Sequence, residues 1–322
     1  MIDVAIGVDV GGTKALALLV ARDGRVLGEA QAPTPHLLSD NVGAPTAQVV
    51  TELIKDLSAR QGLDPSSLPV CIGLPGMMRR DGRLVYAPNL RSASGADLGV
   101  LLGASLASST VFCENDANCA ALCEHEWGAA RGIDDFVMVT LGTGIGGGVV
   151  TDGRLIRGRS GFAGEIGHMV VVARGAACLC GGHGCWERYA SGGGLNRLTR
   201  EAAIAGRLPT LVAQRGNAAV RAEDVTAAAA QDLDEAVVLM REIGWWLALG
   251  LANLAAILDC GQFVIGGGLS IASELVLPSA REYLADLVEG YRARPAITVT
   301  PSMFGPRSGA MGAALVAFER TS

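Results

Sequence analysis

The chain has 322 residues, half of them apolar but only 4% aromatic, and a net charge of −6. That length supports a sizeable core and two domains, and because alanine rather than large aromatic residues carries much of the apolar count, the positive mean hydropathy is no membrane signal. An acidic balance without a basic cluster argues against a nucleic-acid partner, and the opening MIDVAIGVDVGG, with no basic segment and with Asp3 and Asp9 in its apolar run, is unlike a signal peptide.

Residues 2–8 alternate as a strand does, DVGGTK makes a tight turn, and ALALLVA (15–21) and VLGEA (26–30) follow as second and third strands. TAQVVTELIKDLSARQG (46–62) has helical spacing and stops at a glycine. PVCIGLPGM (69–77) and STVFCEND (109–116) read as short strands, and ANCAALCEHEWGAARG (117–132) as a helix. The pattern then restarts, with strand, glycine-rich turn, strand, turn and strand over 135–158. Helices are expected within 223–258, a strand and a third glycine turn over 262–270, a helix over 272–290, a strand over 296–304 and a helix over 308–320. Strands mixed with helices throughout predict an α/β fold. The longest apolar stretch, WWLALGLANLAAIL at 245–258, is too short to span a bilayer and reads as a buried core helix.

LGTGIGGG matches G-x-G-x-x-G at Gly142, Gly144 and Gly147, but a dinucleotide fingerprint must open a helix, and here the strand-like VVTDGRL follows. DVGGTK lacks Walker A spacing and also leads into a strand. Glycines between two strands allow positive φ and expose N–H groups, and such groups form a concave anion site. Thr13 and Thr143 add hydroxyl donors and Lys14 a cation, so the two turns could grip a polyphosphate from both sides of a cleft. The alternative is that each is a plain hairpin. Glu114, Asn115 and Asp116 fall between a strand end and a helix start, where α/β folds place ligands. Asp116 there could take a hydroxyl proton during phosphoryl transfer, or it could simply cap the helix.

CLCGGHGC (178–185) concentrates cysteines in a chain whose other cysteines, Cys71, Cys113, Cys119, Cys123 and Cys260, lie in apolar or helical surroundings, as expected of a cytoplasmic protein. His168, Cys178, Cys180 and Cys185 supply one nitrogen and three sulfurs, a set suited to structural zinc, and Gly181, Gly182 and Gly184 let a short loop wrap an ion. Cys178-x-Cys180 is tighter than usual zinc spacing, but a disulfide between these two would be strained, and a catalytic thiol needs an activating base rather than two sulfur neighbours. His183, the competing histidine, is expected to be exposed. Glu165, His168 and Glu187 flank the cluster and, held rigidly, suit hydrogen bonds to sugar hydroxyls. The alternative is that Glu187 and Arg188 merely start a helix.

The stretches DVGGTK, GLPG, APNL, ENDAN, LGTGIGGG, GEIGH, CLCGGHGCWE and IGGGLS, in this order over nearly the whole length, resemble the ROK family of repressors, open reading frames and sugar kinases, within the sugar kinase/actin-like ATPase superfamily. The resemblance implies two actin-like, ribonuclease H-like α/β domains around a central cleft, a smaller one of residues 1–113 plus 308–322 and a larger one of 114–307. ATP phosphates would meet Asp9, Gly11, Gly12, Thr13 and Lys14 on one side and Gly142, Thr143 and Gly144 on the other, with Gly266 and Gly267 near the adenosine. Asp9 would act near Mg²⁺ and Asp116 would be the base. Gly76, Asn89, Asn115, Glu165, His168 and Glu187 would serve the sugar, His168 contacting sugar and zinc through different ring nitrogens.

Family repressors carry a winged helix before the kinase-like part. Here the phosphate strand starts almost at once, so no such domain is expected. GEIGH with C-x-C-G-x-x-G-C looks more like glucokinases and N-acetylhexosamine kinases than fructokinases. Two stretches depart from the family pattern: MMRRDG lacks the acidic residue usual after Pro-Gly, and RSASGADLG after APNL lacks a tryptophan. The expected activity is transfer of the ATP γ-phosphate to the 6-hydroxyl of glucose. N-acetylmannosamine and N-acetylglucosamine are the alternative acceptors, and a catalytically silent sugar-binding protein is the rival from another class. Polyphosphate stays open as a donor, and the family implies a homodimer.

Overall fold

In chain order the first half holds β1 (Val4–Val10), β2 (Lys14–Ala21), β3 (Val26–Pro33), α1 (Ala44–Arg60), β4 (Val70–Leu74), β5 (Met77–Met78), β6 (Leu84–Tyr86), α2 (Leu98–Leu106), β7 (Val111–Asn115) and α3 (Asp116–Glu126). The second holds β8 (Phe136–Leu141), β9 (Ile145–Thr151), β10 (Arg154–Leu155), α4 (Glu187–Ala190), α5 (Gly192–Ile204), α6 (Pro209–Arg215), α7 (Ala222–Ala229), α8 (Asp234–Leu258), β11 (Gln262–Gly266), α9 (Ser273–Leu287), β12 (Thr298–Pro301) and α10 (Ser308–Thr321). The structure is a computed structural model and describes residues 3–35, 39–108, 110–216, 219–268 and 273–321.

The two halves repeat one topology. The first sheet has the order β3-β2-β1-β4-β7 and the second β10-β9-β8-β11-β12, so each is a three-strand meander extended by two later strands. In the first sheet β1–β2 and β2–β3 are antiparallel, while β1–β4 and β4–β7 are parallel. The restart seen in the sequence is thus a repeated architecture.

Strand alternation explains the layering of the first sheet. Along β2, Ala15, Ala17 and Leu19 join the apolar layer of α1 and α2, whereas Leu16, Leu18 and Val20 face the layer built by α3 and α10. Both faces are covered, so the strand reads as a continuous apolar run. Small residues let α10 lie directly on β1 and on α3. A β-carbon at Gly7 would fall 1.8 Å from Ala310 O, and one at Gly312 would fall 1.7 Å from Cys119 O.

The chain divides into two compact units, one of Met1–Met138, Gly147–Glu165 and Ser302–Ser322 and the other of Val139–Gly146 and Ile166–Pro301. Residues 114–138, which the resemblance assigns to the larger domain, lie in the first unit because α3 packs along α10. The buried Glu124 carboxylate on α3 also accepts the amides of Met303 (3.0 Å) and Phe304 (3.1 Å) just before α10.

Helix α8 lies within the expected helical region and includes the apolar stretch 245–258. It runs 25 residues, starting well before the apolar stretch at 245, and by length and composition alone it is long enough to cross a bilayer. It is nonetheless a core helix of the second unit. The fully buried Trp186 ring sits against Gly250, where a β-carbon would be 2.0 Å from the ring, and its Nε1 donates to Trp246 O at 2.7 Å.

Candidate active site

In the first unit, three parallel strands bring their C-terminal ends to one edge. The register pairs Asp9 with Gly73 and Gly73 with Glu114, and Leu74 with Asn115. The three polar residues at the end of β7 take different roles. Glu114 is buried and bonded to Arg157 Nε at 2.8 Å, and it also accepts from Asn118 Nδ2 at 3.1 Å. Asn115 is the helix cap, since its Oδ1 accepts from Asn118 N at 3.0 Å and its Nδ2 donates to Gly76 O at 3.2 Å. Asp116 is the first residue of α3, with Oδ1 accepting its neighbour's amide, Ala117 N, at 2.8 Å. The cap is therefore supplied by Asn115.

The carboxylates of Asp9 and Asp116 are close enough to repel. Burial, then the charge of Asp116, raises the Asp9 pKa from 3.8 to about 7, with Lys14 opposing. Burial also raises Asp116, partly offset by backbone hydrogen bonds. Two oxygen-donor carboxylates at one strand edge fit a hard divalent cation, whose charge would relieve that repulsion. Asp9 Oδ2 lies 2.8 Å from where a β-carbon on Gly309 would stand, in the first turn of α10.

The first glycine turn joins β1 to β2. Gly11 N donates to Lys14 O at 2.9 Å, Thr34 Oγ1 donates to Gly11 O at 2.7 Å, and Thr34 N donates to Thr13 O at 3.0 Å. The amides of Gly12 and Thr13 have no partner among the described residues. Asn89 lies beside this turn, its carbonyl oxygen 3.6 Å from a β-carbon position on Gly12. Gly76 has φ 109° and lies against Tyr86 O, where a β-carbon would come within 2.3 Å. Glu165 is half-buried at the end of its segment of this unit.

The second turn, between β8 and β9, lies in the other unit. Gly142 N donates to Gly144 O at 3.0 Å, while the amides of Thr143 and Gly144 have no partner among the described residues. The N-terminus of α5 holds the turn from behind. Gly192 N donates to Gly142 O at 2.9 Å and Gly193 N to Thr143 O at 3.1 Å, and Ser191 caps the helix through Gly194 N at 3.1 Å. Gly267 (φ 88°) abuts Leu141, next to this turn, and a β-carbon there would be 2.5 Å from Leu141 O. Gly266 ends β11 beside it. Leu269 and Ser270 of IGGGLS lie outside the described residues.

One expectation about these turns fails. Gly11, Gly12, Gly142 and Gly144 all lack positive φ. Glycine is not needed there for backbone conformation, and at Gly142 no protein atom lies within 4 Å of a β-carbon position. What glycine leaves is an open approach to unpaired amides, the feature an anion site requires. Gly144 is different, because Glu187 Oε2 lies 2.2 Å from its β-carbon position.

The cysteine loop is built around a metal-sized centre. The ligand atoms of His168, Cys178, Cys180 and Cys185 all lie within 4.8 Å of one another. Cys180 Sγ and Cys185 Sγ are 3.7 Å apart, and Cys178 Sγ is 3.8 Å from His168 Nδ1. A tetrahedral site with zinc–sulfur bonds of about 2.3 Å has edges of about 3.8 Å, so the donors fit zinc. The close Cys178–Cys180 spacing is accommodated by a tight turn in which Gly181 N donates to Cys178 O (3.1 Å) and Cys178 N to Gly182 O (2.9 Å), with Gly181 at φ 91°. His168 presents Nδ1 to the sulfurs, which leaves Nε2 on the other side of the ring. His183 is exposed. Glu187 Oε1 accepts from Cys178 Sγ at 3.0 Å and lies 4.0 Å from His168 Nδ1.

The two departing stretches are structural. In MMRRDG, Arg79 pairs with Asp81 at 3.3 Å and Arg80 Nε donates to Gly158 O at 2.8 Å. In RSASGADLG, Ser92 donates to Pro35 O at 3.1 Å and Asp97 caps α2 through Val100 N at 3.1 Å. The supporting roles of Ser191, Gly192 and Gly193 escape sequence reasoning. Their only signal is a serine before three glycines, which reads as a loop.

Comparison with known proteins agrees with this geometry. Residues 5–320 match the model of the ROK family. The chain is 34% identical to the glucokinase of Streptomyces coelicolor, over 98% of this chain and 97% of that protein. It is 32% identical to the N-acetylmannosamine kinase of Citrobacter koseri, over 97% and 98% of the two chains. The crystal structure of a ROK family glucokinase from Streptomyces griseus in complex with glucose and AMPPNP superposes with a TM-score of 0.87 at 34% identity, covering 98% of this chain and 99% of that one. The chain belongs to the ROK family.

Proposed function

We propose that this protein is an ATP-dependent glucokinase. The observation that carries the reading is Asp116: a carboxylate at a parallel-strand end, relieved of capping by Asn115, in a chain 34% identical to a glucokinase over 98% of its length. The sugar 6-hydroxyl oxygen attacks the γ-phosphorus in line, its proton passes to Asp116, and ADP leaves. A raised pKa favours this role, because a base works best with a pKa near the operating pH. Asp9 would hold Mg²⁺, which when bound neutralises charge on the β- and γ-phosphates. The unpaired amides of Gly12, Thr13, Thr143 and Gly144, with Lys14, supply donors for phosphate oxygens, and Gly266 and Gly267 stand toward the adenosine.

Asn89, Asn115, Glu165, His168 and Glu187 are the proposed sugar contacts, with Gly76 nearby fixing the backbone. His168 would bind zinc and contact the sugar through different ring nitrogens, with Nδ1 facing the sulfurs. Zinc, held by His168, Cys178, Cys180 and Cys185, would contribute folding energy and rigidity. N-acetylmannosamine is the second acceptor, favoured by the relative in Citrobacter koseri. A cytoplasmic homodimer that binds no nucleic acid completes the reading. Steady-state assay of ADP release with glucose, N-acetylmannosamine and N-acetylglucosamine tests it. Glucose should give the highest kcat/KM, and a higher value with an N-acetylated sugar would reassign the acceptor.

A further inference from the structure

Arg188 lies between Glu187 and Tyr189 on α4. Its Nε is buried and has no hydrogen-bond partner among the described residues. Its other end lies near the start of α5. Nη1 is 3.7 Å from a β-carbon position on Gly193, and that position is 2.7 Å from Thr143 O. A guanidinium atom removed from water without a partner is costly, and native structures hold few of them. The neighbouring charged groups make bonds of their own, although Arg197 Nη2 is also buried without a partner among the described residues. Glu187 turns one oxygen to Cys178 and the other to Gly144, and Arg197 donates to Arg188 O at 3.0 Å and to Glu201 at 2.7 Å.

The second turn, on which α5 is docked, carries the amides of Thr143 and Gly144, which have no partner among the described residues. One β-carbon position on Gly193 thus lies near both the guanidinium and the backbone of the turn that carries these amides. We propose that Arg188 is a ligand to the phosphates of the nucleotide held at the second glycine turn. The assignment rests on the kinase reading above. Arginine suits this position because its planar fork can meet two phosphate oxygens at once, and because it stays charged when desolvated. α4 and the cap of α5 are consecutive, and α5 is docked on the carbonyls of Gly142 and Thr143.

The test is calorimetric titration of MgADP, a non-hydrolysable MgATP analogue and adenosine into wild type, Arg188→Ala and Arg188→Lys, with KM for MgATP and glucose measured alongside. Arg188→Ala should weaken both phosphorylated ligands by about ten-fold or more, the size of a lost charge-assisted hydrogen bond. It should raise KM for MgATP in parallel, and leave adenosine affinity, glucose KM and zinc content unchanged. Arg188→Lys should recover part of the loss. Unchanged MgADP and analogue affinity in zinc-loaded Arg188→Ala would overturn the assignment and leave the kinase reading standing. A wild-type protein that binds no nucleotide would overturn both.

Discussion

The carboxylate of Glu187 stands between the cysteine cluster and the second glycine turn: Oε1 accepts from Cys178 Sγ at 3.0 Å, and Oε2 occupies the space a side chain on Gly144 would need, 2.2 Å from its β-carbon position. One side chain therefore links the zinc loop to the turn that would receive phosphate. Gly144→Ala must displace either the carboxylate or the turn. The variant should fold but lose about 100-fold or more in kcat/KM, since a misplacement of about 1 Å can cost that much. Near wild-type kinetics for both substrates would show that the contact is incidental.

Asp116→Asn keeps the shape of the side chain and removes its basicity. With Asn115 as the cap, the helix start should survive, and thermal stability should change little. kcat should fall by about 10²–10⁴-fold, the range for loss of a general base, while sugar affinity measured by direct titration stays within a few-fold. Turnover close to wild type would mean that Asp116 serves only the local backbone.

Asp9 gives a pH dependence whose sign follows from its environment. Its pKa rises from 3.8 to about 7, so the folded protein holds this proton more tightly than the unfolded chain. The stability it contributes is full below 3.8 and is lost as pH rises through about 7. Asp9→Asn, always neutral, escapes that loss. In thermal melts without nucleotide, the Tm of the variant minus that of wild type should grow steadily between about pH 4 and pH 8, although the variant loses Mg·ATP-dependent activity. A constant difference across that range would contradict the buried, repelled state of this carboxylate.

Zinc should co-purify at about one ion per chain, as four converging donors require. Cys180→Ser should lose the metal and lower Tm, because metal binding energy is folding energy at such a site. Metal analysis together with thermal melts checks both. A metal-free wild type with full activity and stability would remove zinc from the account.

Much of this was legible because the deciding signals are local. β2 alternates residue by residue between two apolar layers, and three of the four zinc donors fall within eight positions. The division of labour among Glu114, Asn115 and Asp116 was not legible, since a cap and a base use the same residue types and only the bonds to Asn118, Gly76 and Arg157 separate them. α5 and α6 were also missed. SGGGLN carries the composition of a loop, and α5 starts there only because Ser191 caps it and the carbonyls of Gly142 and Thr143 take its first amides. The glycines of both turns suggested positive φ, but they serve open access to the backbone instead.

The central claim is sugar-dependent phosphoryl transfer by this chain, and a coupled assay of ADP release from Mg·ATP tests it most directly. The panel is glucose, mannose, fructose, N-acetylglucosamine, N-acetylmannosamine and no sugar, with wild type and Asp116→Asn side by side. The account predicts turnover that requires sugar, is highest with glucose and collapses in the variant. Folded, zinc-loaded wild-type protein that releases no ADP with any of these sugars would contradict it.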